Sequence, residues 1–191
     1  MVHTPRVAPH FSEVGAFESD GGRTIDVLLV SKPSPATGSG GLYSLHPRWL
    51  ESATALRAAG LTVVETTAGR GSTQLLEQLQ TAKAVLTEAT SRRYMPPEWE
   101  DALGTGCLVM SDMPGERMRE YRRFSVAVPR EATAPALVEL VQTWVADTAG
   151  RGVKTKEGYD WAMLNASPAH WLDDLIERCE IPPVTDLKCH Y

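Results

Sequence analysis

The stretch "IDVLLV", residues 25–30, is a nearly continuous apolar run rich in β-branched residues. A strand that alternates apolar and polar residues has one wet face, whereas a run of this kind is expected where both faces are covered. It therefore predicts a central strand of a parallel sheet, and the neighbouring sequence is read outward from it. Downstream, "SKPSPATGSGGLYSLHP" (31–47) is loop by composition. Leu50, Ala53, Leu56 and Ala59 then recur at helical spacing and stop at Gly60. "LTVVETT" (61–67) is a second strand, Leu75, Leu76, Leu79 and Ala82 mark a second helix, and "KAVLTE" (83–88) is a third strand. Glu98 to Leu103 is a short helix opened by Pro96-Pro97 and closed by Gly104 and Gly106, after which "CLVMS" (107–111) and "FSVAV" (124–128) are a fourth and a fifth strand.

Helical spacing returns three times after the fifth strand. The first helix carries Leu137, Leu140, Val141, Trp144 and Val145, the second spans about Lys156 to Leu164, and the third carries Trp171, Leu172, Leu175 and Ile176. Alternating β and α units predict an α/β domain of three layers, with a parallel sheet of about five strands and a helical C-terminus. The helices from about 134 to 179 are expected over one side of that sheet.

Composition bounds what such a domain does. The chain has 191 residues, 42% hydrophobic and 23% charged, which suits one globular domain. Residues 1–20 read as a linker-like segment, 21–182 as the domain and 183–191 as a tail. A net charge of -5 argues against a general nucleic-acid or anionic-membrane binder, leaving room only for a small, specific anion site. Cys107, Cys179 and Cys189 show no C-x-x-C spacing, so free thiols in a reducing compartment are expected. The first residues lack a signal-peptide core, and no apolar run is long enough to span a bilayer. A cytoplasmic location is the expectation. The five histidines are scattered, so no metal site is expected. The five tryptophans are expected to serve as helix-face anchors in the core or at an interface.

In a parallel sheet, ligands bind beyond the carboxyl ends of the strands where strand order reverses. The loops to watch are 31–45, 88–97 and 111–116. The first contains Gly38, Gly40 and Gly41 ahead of a helix that carries Arg48 early on, an arrangement suited to holding phosphate oxygens. It is not a dinucleotide fingerprint, because Tyr43 stands where the third glycine belongs. A flexible connector is the alternative reading of this loop.

The order of parts in "RRYMPPEWEDALGTGCLVMSDMPGER" (92–117) resembles the donor-binding, carboxyl-terminal half of glycosyltransferases of the B fold, most of all the CgeB-like group. The matching parts are Arg92-Arg93-Tyr94, "EWED", Gly106, the "CLVMS" strand and Asp112 to Arg117, and the likeness extends to "TIDVLLV", "GLYSLHPRW" and "EGYDWAMLNASPAHWLDDLI". The resemblance implies a Rossmann-like domain that binds a nucleotide-sugar as substrate, with no further cofactor. In that family an acidic residue bonds the ribose hydroxyls. Counting five back from Gly106 gives Asp101, with Glu100 as the alternative equivalent.

Arg92 and Arg93 are then the donor-diphosphate ligands, and Arg48 is the nearest fixed positive charge, since His46 replaces the family's arginine. The plainer readings are an exposed helix acid for Asp101, a solvated pair for the arginines, and helix capping for Asp112 and Glu116. The family builds its active site between two domains, and this sequence matches the second alone. The expectation is a domain incomplete as an enzyme without an acceptor domain, which either the rest of a longer enzyme would contain or a partner chain would supply or replace. No catalytic residue is assigned. The alternative is a non-catalytic accessory subunit of a larger assembly, a pseudoenzyme that keeps the fold.

Overall fold

The computed structural model describes residues 22–30, 32–33, 43–44, 47–68, 72–87, 97–112, 119 and 121–165. In chain order the elements are β1 (Ile25–Val30), β2 (Lys32–Pro33), β3 (Tyr43–Ser44), α1 (Pro47–Ala58), β4 (Val63–Thr66), α2 (Thr73–Thr81), β5 (Ala82–Thr87), α3 (Pro97–Gly104), β6 (Leu108–Ser111), β7 (Ser125–Ala127), α4 (Ala134–Ala146) and α5 (Thr148–Asn165). Five strands form one parallel sheet in the order β4-β1-β5-β6-β7.

The apolar runs are explained by burial on both faces. Leu28, Val85 and Val109 point to one side, where they pack with Leu75, Leu79, Trp99, Leu103, Phe124 and Ala162 from α2, α3, the segment before β7, and α5. Val27, Leu29, Ala84, Leu86, Leu108 and Met110 point to the other, against Ala53 and Leu56 of α1 and Leu137 and Val141 of α4. The result is the expected three-layer, Rossmann-like α/β architecture. β1 is interior as its sequence predicts, but β5 holds the middle of the sheet.

Local chemistry sets the ends of the elements. Ser72 caps α2 by accepting from the Leu75 N–H at 3.2 Å. Thr133 opens α4 in the same way, with a proline in the first turn. Gly60 and Gly106 have φ of +85° and +69°, the left-handed conformation that ends α1 and α3.

Three expectations need correction. The segment 31–47 is not all loop, since β2 and β3 pair as a short antiparallel ladder. Proline and glycine in that segment masked two residues of pairing on each side. The helix expected near Lys156 begins at Thr148. Gly150 and Gly152 lower its intrinsic propensity, but the Asp147 carboxylate accepts from the Gly150 N–H at 2.9 Å and anchors its start. Most importantly, α4 and α5 do not share one side of the sheet. α4 lies with α1, and Gln142 Nε2 donates to the Ala59 carbonyl at 3.3 Å. α5 lies with α3, so close at Gly158 that a Cβ there would sit 2.6 Å from Leu103 Cδ2. Helical spacing reveals that a helix has an apolar face, not which layer receives it.

The amino-terminal edge of the sheet is tied by charged side chains. Arg23 donates to the carbonyls of Leu79 at 2.8 Å, Ala82 at 2.5 Å and Thr105 at 2.7 Å, so one guanidinium joins the start of β5 to the end of α3. Arg151 donates to the carbonyls of Trp144 and Val145 at the end of α4. Asp26 accepts from Lys83 Nζ at 2.7 Å and from the Thr62 N–H at 2.8 Å.

Burial acts to raise the Asp26 pKa, but the bonds from Lys83 and Thr62 and the charges of Lys83 and Arg151 outweigh it, and the net shift is downward. A depressed carboxyl pKa stabilises the fold above the unfolded value, and that stability is lost as pH falls through the folded value. Asp26→Asn should therefore cost about 1.5–3 kcal/mol at neutral pH. In urea titrations at a series of pH values, the gap between parent and variant should close below about pH 4. A gap that stays constant down to pH 2 would contradict the assignment.

Candidate functional site

The chain leaves β1 for β4 on one side and returns to β5 on the other, so strand order reverses between β1 and β5. At such a point the two outgoing connections diverge and leave a crevice at the carboxyl ends of the strands. Three of the five sheet strands finish at this edge in the same chemistry, while β1 ends in Val30 and β7 in Ala127. The sheet strands β4, β5 and β6 each end in a hydroxyl residue, namely Thr66, Thr87 and Ser111, and all three are buried. Thr87 and Ser111 are register partners. By strand alternation from Val64, Val85 and Val109, all three hydroxyls face the α2 and α3 side.

These hydroxyls do different things. Thr66 Oγ1 accepts from the Ala68 N–H at 3.1 Å and turns the chain out of β4. Thr87 Oγ1 accepts from Trp99 Nε1 at 2.8 Å, which fixes the first turn of α3 over the end of β5. Ser111 Oγ has no hydrogen-bond partner among the described residues, although it is fully buried. A buried, unsatisfied hydroxyl costs free energy and is most often kept for a reason beyond packing. Trp99 is itself held edge-on to Tyr121 at 5.7 Å, and Tyr121 and Phe124 contact Trp161 at 6.3 and 5.3 Å. Trp99 is thus a core anchor, and Trp144 and Trp161 pack half-buried against the two cores, as expected of the tryptophans.

The sequence-predicted acids sit on α3. Glu100 is 9% exposed and Asp101 0%, with Glu98 at 8% beside them. The reading of Asp101 as an ordinary exposed helix acid is therefore wrong, because α3 is covered by α2, α5 and the sheet. Glu98 and Glu100 lie in the first turn of α3, where the helix dipole favours negative charge. Arg48 falls in the first turn of α1, with its side chain outside the described residues. Gly40, Gly41, Arg92 and Arg93 lie outside the described residues, as do Glu116 and the loops 34–42, 88–96 and 113–118.

Chemically this edge offers acceptor carboxylates, hydroxyls able to donate or accept, and the start of a helix. That set suits an oxygen-rich, hydroxylated ligand better than an apolar one. No group of three or more metal-ligating side chains occurs among the described residues. Cys107 lies just before β6, at the opposite edge, and is no nucleophile, since burial pushes its thiol up to about 12 despite the opposing charges of Arg23 and Arg151. No helix of the described residues is long and apolar enough to cross a membrane. The signal for these hydroxyls in the sequence is slight: "VVET", "AVLT" and "LVMS" each end a mainly apolar run in a single hydroxyl residue.

No family model matches the sequence, and no curated protein matches it.

Thr87→Val tests whether the Thr87–Trp99 bond positions α3. The change keeps side-chain volume but strands a buried indole N–H, so stability should fall by about 1–3 kcal/mol. Replacing Trp99 as well, in Thr87→Val/Trp99→Phe, should cost less than the sum of the two single changes. Strict additivity in denaturant titrations would show that the bond holds nothing.

Proposed function

We propose that the chain is a glycosyltransferase-like donor domain that binds a nucleotide-sugar at the carboxyl ends of β1, β5 and β6. In this reading Glu100 or Asp101 accepts from the ribose hydroxyls, while Arg48, Arg92 and Arg93 serve the diphosphate, with Gly40 and Gly41 letting backbone approach it. The observation that carries the proposal is the buried hydroxyl row at the strand-order reversal, ending in Ser111 with its unused hydrogen-bonding capacity. The resemblance of residues 92–117 to the donor half of B-fold glycosyltransferases supports the same edge. Transfer would release a nucleoside diphosphate, so the domain's part in catalysis is to hold that leaving group as its charge grows. The acceptor and the remaining catalytic groups would come from an acceptor-binding domain.

A second reading is favoured by one observation, the complete burial of Asp101, which Ser111 shares. A carboxylate with no exposed surface meets a ribose only if the groups that cover it withdraw. In an accessory subunit without catalysis it would serve the fold instead.

Calorimetric titration of the chain with uridine and guanosine diphosphates and their hexose conjugates separates the two. The donor reading predicts saturable heat with at least one of them. Ser111→Ala should then weaken binding by about tenfold, the loss expected for one bond to a charged or strongly polar ligand. The same change should leave thermal stability equal or higher, since it removes an unsatisfied buried group. Glu100→Gln should also weaken binding. Absence of heat across the panel would sink the donor reading and leave the accessory one.

A further inference from the structure

A second surface, at the opposite end of the sheet, carries a different chemistry. Arg119, Arg122 and Arg123 are all exposed, and the last two directly precede Phe124 and the start of β7. The other exposed or half-exposed cations with ion pairs are matched, Arg57 to Glu65, Lys83 to Asp26 and Lys156 to Asp160. Among the described residues none of the three arginines has a carboxylate partner, although the whole chain carries a net charge of -5. Arg123 lies 5.6 Å from the Phe124 ring centroid, and among the described residues no ion pair uses its charge.

The backbone that presents them is held from three sides. Phe124 is buried and packs against Tyr121 at 5.7 Å and Trp161 at 5.3 Å. The Phe124 N–H and Ser125 Oγ both donate to the Tyr121 carbonyl, at 3.0 and 2.7 Å. From α5, Lys154 Nζ donates to the carbonyls of Arg122 at 2.5 Å, Ser125 at 3.2 Å and Arg123 at 3.4 Å. A turn fixed in this way presents its guanidiniums at little further entropic cost to a partner.

We infer that the turn at Tyr121–Phe124, with Arg119, is a docking surface for an acidic segment of a partner protein. Arginine at every position favours planar, two-oxygen acceptors such as carboxylates. A long nucleic acid fits less well, because three cations release few counterions. The surface lies at the amino-terminal end of β7, away from the carboxyl edge, so it does not depend on the donor reading.

The test is an NMR titration of the isotope-labelled full chain with a hexaglutamate peptide, with hexaserine and a six-nucleotide thymidine strand as comparators. Saturable shifts with hexaglutamate should be confined to the amides of Tyr121–Ser125 and the Nε–Hε signals of Arg119, Arg122 and Arg123. Arg122→Ser/Arg123→Ser should weaken that binding by about fivefold, the combined worth of two exposed ion pairs. Arg57→Ser/Lys156→Ser, with the same change in charge, should leave it unaltered. Should the first variant fail to fold, Arg119→Ser carries the same test with a loss of about twofold. Absent shifts, shifts spread equally over Arg57 and Lys156, equal loss in the charge-matched control, or tighter binding of the thymidine strand would each overturn the inference.

Discussion

A strand that is apolar on both faces has to be covered twice, and this requirement organises the molecule. Val27, Leu28 and Leu29 point alternately to two separate cores, so β1 cannot lie on the surface of any one-layer cover. Parallel neighbours then follow, because each helix must return the chain to the same edge before the next strand begins. The two-sided demand also explains why α4 and α5 separate. One completes the α1 layer and the other the α3 layer, with Asp147 and Arg151 closing the corner between them.

The two edges of the sheet are finished with opposite chemistry. At the amino-terminal edge, carbonyls that the ladder does not use are taken up by cationic side chains: Arg23, Arg151 and Lys154 each bind two or more. Such charge-assisted bonds, part-buried at Arg23 and Arg151 and more exposed at Lys154, fix the backbone. The carboxyl edge carries short hydroxyls and carboxylates instead, with Ser111 buried and its hydroxyl uncommitted among the described residues. A rigid base beneath an edge with one uncommitted hydroxyl is an arrangement that favours a binding site, since the base holds the site's geometry while the edge meets the ligand.

Much of the fold was legible because its signals are local. Period and β-branching identified the five sheet strands, and Pro97 and Gly106 bracketed α3, each through a backbone preference that belongs to the residue itself. What escaped depends on partners distant in sequence. The Lys32–Pro33 pairing with Tyr43–Ser44 overrides a composition that reads as loop, and the Asp147 cap overrides Gly150 and Gly152. The layer taken by each terminal helix is a matter of which core still needs cover. At the candidate site, the sequence located acids on α3 but not their depth. Asp101 is buried by α2, α5 and the sheet, whose positions its own neighbours in sequence do not encode. The hydroxyls of Thr66, Thr87 and Ser111 share a face only once the strands are in register.

The central claim is that the carboxyl edge is where this domain meets its ligand. Amide hydrogen exchange followed by mass spectrometry, with and without saturating uridine or guanosine diphosphate, tests it most directly because it reports position as well as binding. Slowed exchange should be concentrated in peptides covering the end of β5, the first turn of α3 and the end of β6 at Ser111 and Asp112, with the amino-terminal edge around Arg23 and Lys83 unchanged. Uniform exchange with either ligand, or protection centred on Arg119–Phe124 instead, would contradict it.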